Sequence, residues 1–141
     1  MSDSTPPILF DAGMFIAALL KDDPRHAEAR PLVEAARRGE MQVCTTPGIL
    51  SELYGALTWE KAQPRREPKT AAEAVRLLVE PPSAIQVLEV GLDIALCALK
   101  LAAAHNLTAR RIHDARHAAA ALITKVSSIY TYDADDWKVF E

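Results

Sequence analysis

Four carboxylates in this chain stand where a folded core could bring them together. Asp11 follows the apolar run "PPILF", Glu52 lies shortly after "TTPG", Asp114 sits in "RRIHDARHAAAAL", and Asp133 closes "SSIYTYD". Taken singly, an Asp at a strand end is ordinarily a turn or helix-cap residue. Taken together, four carboxylates within a few ångströms repel one another, and some must take up protons unless a cation joins them. A divalent metal removes that conflict. Hard oxygen donors with no nearby cysteine favour Mg²⁺ or Mn²⁺ over zinc. Such a site suits phosphodiester chemistry, because the metal lowers the pKa of a bound water, orients it and stabilises charge on the leaving oxygen. Asp135 and Asp136 read as solvated turn residues, with Asp136 the substitute for Asp133 if the strand ends later.

Other residues offer competing or supporting chemistry. His113, Asp114 and His117 spell H-D-x-x-H, one methylene short of the H-E-x-x-H zinc motif, and histidines at i and i+4 share a helix face. Against zinc, Arg116 puts a positive charge beside the metal and no third ligand follows. The plainer reading makes His113 and His117 walls of the acidic pocket, or phosphate contacts when protonated. Cys44 and Cys97 lie among apolar neighbours in no ligand spacing and read as buried thiols. A phosphate backbone approaching four acids needs cations around them. Arg37-Arg38, Lys61, Arg65-Arg66, Lys69, Arg110-Arg111 and Arg116 are candidates, and Arg116 leads because it shares a helix with Asp114. Tyr54 and Trp59 read as core or interface rather than stacking platforms.

The elements that must position these groups follow from apolar spacing. "PPILF", "MQVCTT", "AIQVLEV" and "SSIYTY" are short apolar runs without alternation, the pattern of strands buried on both faces. Between them the period turns helical. "MFIAALLKDD" opens the first helix; "PRHAEARPLVEAARRG" is a second, with Pro24 in its first turn, Pro31 kinking or dividing it and Gly39 capping its end. "PGILSELYGALTWEKAQ" carries one apolar face at Ile49, Leu50, Leu53, Tyr54 and Leu57, with Glu52 in its first turns. "TAAEAVRLLVEPP" has Thr70 and Glu73 at capping-box spacing, and two alanine-rich helices complete the set. Strands alternating with helices argue for an α/β fold with a parallel sheet covered on both sides. Ligands of such sheets bind beyond the carboxyl ends of the strands, where Asp11 and Asp133 stand.

The 141 residues suit one domain, 1–141, and the sequence shows no internal repeat. No apolar run is long enough to span a bilayer, and "MSDSTPPILFDAG" lacks the features of a secretory leader, which places the chain in the cytoplasm with no membrane association. The net charge of −3 neither advertises nor excludes a nucleic-acid partner.

"ILFDAGMFIAALL", "TTPGILSELYGAL", "IHDARHAAAAL" and "IYTYDADDW", in that order, resemble the acid-bearing segments of PIN-domain ribonucleases, in particular the VapC-type toxins of VapBC toxin-antitoxin pairs. The third segment is the most specific, following the family's Asp-Ala-x-x-Ala-x-Ala helix, and the likeness covers nearly the whole chain. It implies a three-layer α/β/α sandwich around a mainly parallel sheet of four or five strands. It implies also that Asp11, Glu52, Asp114 and Asp133 hold one or two Mg²⁺ or Mn²⁺ ions and cleave single-stranded RNA. A homodimer is implied as well, with an antitoxin whose C-terminal segment plugs the cleft with a basic side chain. One position departs: the family has Asn, Ser or Thr two residues after the first acid, where this chain has Gly13. Losing a polar group beside a metal site weakens affinity or rate, unless another group such as Thr46 replaces it. Thr131 matches a family Thr that bonds within the site. Two further readings stay open, a PIN-like binding or regulatory module with impaired chemistry and a zinc peptidase using His113 and His117. A receiver-type phosphoacceptor ranks below them, since no lysine ends a later strand.

Overall fold

Each apolar run identified above forms a strand, and each connection is helical. The computed structural model describes residues 6–132 and 134–140. In chain order it has β1 (Ile8–Phe10), α1 (Ala12–Leu19), α2 (His26–Arg37), β2 (Val43–Thr45), α3 (Pro47–Thr58), α4 (Pro68–Val79), β3 (Gln86–Val87) and α5 (Leu92–Ala104). A 3-10 turn at Ala109–Arg111 leads into α6 (Ile112–Thr124), β4 (Ser128–Tyr130), α7 (Ala134–Trp137) and a last 3-10 turn at Lys138–Phe140.

Among the described residues the sheet has four strands in the order β3-β2-β1-β4, and every neighbouring pair is parallel. Ile8 stands opposite both Val43 and Ser128, and Phe10 opposite Tyr130. The chain steps outward from β1 to β2 to β3, then returns through α5 and α6 to lay β4 on the far side of β1. Strand order therefore reverses between β1 and β4, and the crevice beyond their carboxyl ends is where open α/β sheets bind ligands. Asp11 is the first residue past β1 at this reversal.

The buried side chains fall into two groups that follow the same division. Leu9, Phe10, Val43 and Cys44 from the strands pack with Phe15, Val33, Ile49, Leu53 and Leu57 from the first helices. Ile94, Ala98 and Ala102 of α5 pack with Ala115, Ala119 and Ala120 of α6. Small side chains let those two helices approach closely. Along α6, His117 and Ala118 to Ala121 are all buried, so this helix shows no single apolar stripe. On α5 the opposite face carries Leu92, Leu96 and Leu99, which are exposed.

Several local expectations need correction. Pro31 does not divide α2, which runs unbroken over 12 residues. It is the sixth residue of the helix, where a missing N–H costs one early hydrogen bond, and buried Ala29, Val33 and Ala36 hold the helix through that loss. Pro24 precedes α2 rather than lying in its first turn, while Gly39 does follow the helix with φ +79°, the left-handed conformation glycine tolerates. Thr70 and Glu73 form no capping box. Pro68 starts α4, which puts Thr70 inside the helix, and Glu73 pairs with Arg76. Both residues of β3 are exposed, as befits an edge strand rather than one buried on two faces. Cys97 is only partly buried, and Trp59 and Tyr54 are exposed.

Candidate active site

The acid at the end of β1 is fixed by the start of α1. Asp11 has extended backbone (φ −83°, ψ 179°) and caps that helix, its Oδ1 accepting from the Met14 N–H at 3.4 Å. Its Oδ2 accepts from the Thr131 hydroxyl, which arrives one residue past β4. Parallel pairing of β1 with β4 makes this contact possible across 120 residues of sequence. The Asp11 residue is 7% exposed, so its carboxylate is held on both oxygens at the bottom of the crevice.

The second acid comes from the helix after β2. Thr45 anchors that junction by donating its hydroxyl to the Phe10 carbonyl at 3.2 Å, and Thr46 caps α3 by accepting from the Ile49 N–H at 3.2 Å. Ile49, Leu53 and Leu57 point α3 into the core, leaving Glu52 on the side facing solvent and α6. There Oε1 of Glu52 meets Nε2 of His117 at 2.6 Å.

The third acid lies in the first turn of α6, where a carboxylate complements the helix dipole. Asp114 Oδ2 accepts from Arg111 Nε at 3.1 Å, in a pair whose side chains are 29% and 44% exposed respectively. Arg110 is exposed beside it, and Arg116, one half-turn further on, donates to His113 Nδ1 at 3.1 Å. Gly48 lets α6 come this close to the start of α3: a Cβ there would lie 3.0 Å from Arg116 Nη2 and 3.2 Å from His117 Cε1.

Asp11, Glu52 and Asp114 line one small cavity of about 60 Å³ with Ala12, Gly13, His117 and Trp137. A shallower hollow beside it, lined by Pro47, Gly48, Ser51, Glu52, His113 and Arg116, shares Glu52 as its wall. Three of the four acids singled out above therefore meet. Asp133 lies outside the described residues, as does the side chain of Asp136; Asp135 is exposed in α7 and pairs with Lys138 at 3.0 Å. Thr131 supports the first acid directly. Thr46 supports the second instead, its hydroxyl lying 3.4 Å from His117 Nδ1. Sequence reasoning missed the His117 bridge to Glu52 and the place of Trp137 in the cavity wall. His117 falls three residues after Asp114, which was the available signal that it faces the same way.

The donor set fits a hard divalent cation: three carboxylates around a space large enough for an ion with water. Among the described residues no three His, Cys, Asp or Glu groups are already drawn together tightly enough to chelate. Glu52 and Asp114 are instead held by His117 and Arg111, each through one carboxylate oxygen. For zinc through the two histidines the geometry is poor. Both ring nitrogens of His117 face partners, and His113 lines the neighbouring hollow with Nδ1 on Arg116. Thiol chemistry is remote as well, since Cys44 is in β2 and burial pushes its pKa up to about 11.

Comparison with known proteins agrees with this architecture. A family model described as the PIN domain matches residues 8–140. Among solved structures, VapC20 of Mycobacterium tuberculosis, described as a Sarcin-Ricin loop cleaving toxin, superposes with a TM-score of 0.71 at 20% identity, with 92% of each chain covered. No curated protein matches the sequence.

Proposed function

From the premise that the chain belongs to the PIN domain family, we propose that it is a metal-dependent endoribonuclease, the VapC-type toxin of a toxin-antitoxin pair. The observation that carries this reading is the meeting of Asp11, Glu52 and Asp114 in one cavity at the strand-order reversal. With Asp133 from the segment after β4, these side chains would hold Mg²⁺ or Mn²⁺. The bound ion would supply an activated water and charge stabilisation at the scissile phosphate. The protein's own part is to position that centre and to offset its negative charge for RNA. Asp11 is the fixed ligand, gripped by the α1 cap and Thr131. Arg111 pairs with Asp114 and Arg116 lines the hollow beside the cavity; with the exposed Arg110 they would provide phosphate contacts. Thr131 answers the missing polar group at Gly13, which favours a working nuclease over a binding module with impaired chemistry.

The whole chain, 1–141, acts as one domain in the cytoplasm; no helix among the described residues is long and apolar enough to cross a membrane. Leu92, Leu96 and Leu99 give α5 an exposed apolar face suited to a homodimer. The antitoxin would place a basic side chain among the acids.

Purified protein freed of antitoxin, incubated with a mixed RNA pool and Mn²⁺, Mg²⁺ or EDTA, tests the reading. Cleavage is expected with either metal, none with EDTA, and none for Asp114→Asn. Folded protein that leaves the RNA intact with every metal would move the assignment to the binding module.

A further inference from the structure

His117 is 4% exposed, lies at the core of α6 and is used by nothing in the scheme above. Its two ring nitrogens are both engaged by residues of the same neighbouring segment: Nδ1 faces the Thr46 hydroxyl at 3.4 Å and Nε2 faces Glu52 Oε1 at 2.6 Å. An ionised carboxylate only accepts, so Nε2 carries the hydrogen that bonds Glu52. Thr46 Oγ1 accepts from the Ile49 N–H at 3.2 Å, which leaves its own hydrogen free to point at Nδ1. A ring that accepts at Nδ1 carries its hydrogen at Nε2 and donates it to the carboxylate. The chain of bonds therefore runs from the α3 backbone through Thr46 and His117 back to Glu52 on α3.

We propose that His117 is a positioning residue for Glu52: it holds one carboxylate oxygen through Nε2–H, leaving the other for the metal. This rests on the nuclease reading above and deepens it. Glu52 needs such a hold because its side chain is 41% exposed while that of His117 is 6% exposed. Left alone, a glutamate on a helix surface spreads over many rotamers, and the metal must pay for the ordering. The buried imidazole, held by Thr46, removes that spread beforehand. Gly48 belongs to the same arrangement, because a side chain there would press on the His117 ring.

The test compares the unaltered protein with His117→Leu and His117→Gln, reading Mn²⁺ binding by the loss of the free-ion electron paramagnetic resonance signal, and the Mn²⁺ concentration giving half-maximal RNA cleavage. Leucine removes the donor, and both midpoints should rise by about 10- to 100-fold, the range for groups that orient metal ligands. Cleavage should recover at high metal. Glutamine keeps an N–H donor and should stay within a few-fold of the unaltered protein. Equal midpoints for His117→Leu and the unaltered protein would overturn the inference while leaving the nuclease reading intact. Unaltered protein that neither binds Mn²⁺ nor cleaves RNA overturns the nuclease reading itself. If His117→Leu fails to fold, nitrogen-15 NMR of the histidines in the unaltered protein decides. A His117 carrying hydrogen at Nε2, with resonances that move on adding Mg²⁺, supports the role; hydrogen at Nδ1 alone refutes it.

Discussion

The two sides of the cleft are built by different means. On the sheet side, Asp11 is buried at the end of β1, and its oxygens are held by a backbone N–H of α1 and by Thr131 beyond β4. On the helix side, Glu52 and Asp114 project from α3 and α6, more exposed, and their partners are the side chains of His117 and Arg111. A carboxylate fixed by the ends of two paired strands has little freedom to move. Glu52 has one oxygen on the buried His117, whereas the Arg111 partner of Asp114 is itself partly exposed. On the nuclease reading the sheet would supply a fixed point, and Asp114 the ligand that closes on it. Such a division also spreads the negative charge apart until a cation arrives, which limits the repulsion among the three acids.

Removing one acid from each side separates the two most directly. Asp11→Ala and Asp114→Ala should both abolish metal-dependent cleavage, by more than the about 10- to 100-fold typical of groups that merely orient ligands. Their effects on folding should differ. Asp11→Ala also deletes the cap of α1 and should cost about 0.5–2 kcal/mol in urea unfolding without metal. Asp114→Ala removes a partly exposed pair and should change that stability by no more than about 1 kcal/mol. Equal stability losses in the two variants would remove the distinction between a fixed and a movable side.

The sheet side was also the more legible one in the sequence. An apolar run ending in Asp, followed by a helical period, marks a strand end and a cap at once, and both roles of Asp11 follow from it. On α3, Ile49, Leu53 and Leu57 of the apolar face are buried as their spacing implies, but Leu50 is only half-buried and Tyr54 is exposed. The helix side was not legible beyond the positions of its acids. The bond from His117 to Glu52 joins residues 65 apart in sequence, and depends on how closely α6 approaches α3 at Gly48, which no local pattern encodes. Thr46 was considered as a replacement for the polar group missing at Gly13, yet its hydroxyl serves α3 and His117. Thr70 misled for the opposite reason. Its spacing to Glu73 is a true local signal, but Pro68 starts the helix earlier and overrides it.

A gentler probe of the fixed side is Thr131→Val, which keeps shape and removes the hydroxyl that Asp11 accepts from. Because Asp11 retains its cap contact with Met14, the variant should fold and keep the cavity. Its Mn²⁺ affinity should fall by about 10-fold, the low end of the range for groups supporting a ligand. Calorimetric titration checks this. An unchanged affinity would mean that the backbone contact alone fixes Asp11, and that Thr131 does not make up for the polar group missing at Gly13.

The smallest effect is expected for Arg111→Ala on the movable side. The Arg111 pair with Asp114 is partly exposed, at 44% and 29%, and water screens both charges. The thermal midpoint should therefore hardly move, with a stability change within about 0.5 kcal/mol. Arg111 should matter more to substrate than to fold. In the cleft it pairs with Asp114, and on the nuclease reading its positive charge would also serve the RNA phosphates. The variant should accordingly show weaker RNA binding and a shallower dependence of that binding on salt, by about one unit in the log–log slope. Its metal affinity should hold or rise, since the acid no longer has to leave a partner. A fall in metal affinity together with unchanged RNA binding would show that Arg111 orients Asp114 as a ligand, and the helix side would then be as fixed as the sheet side.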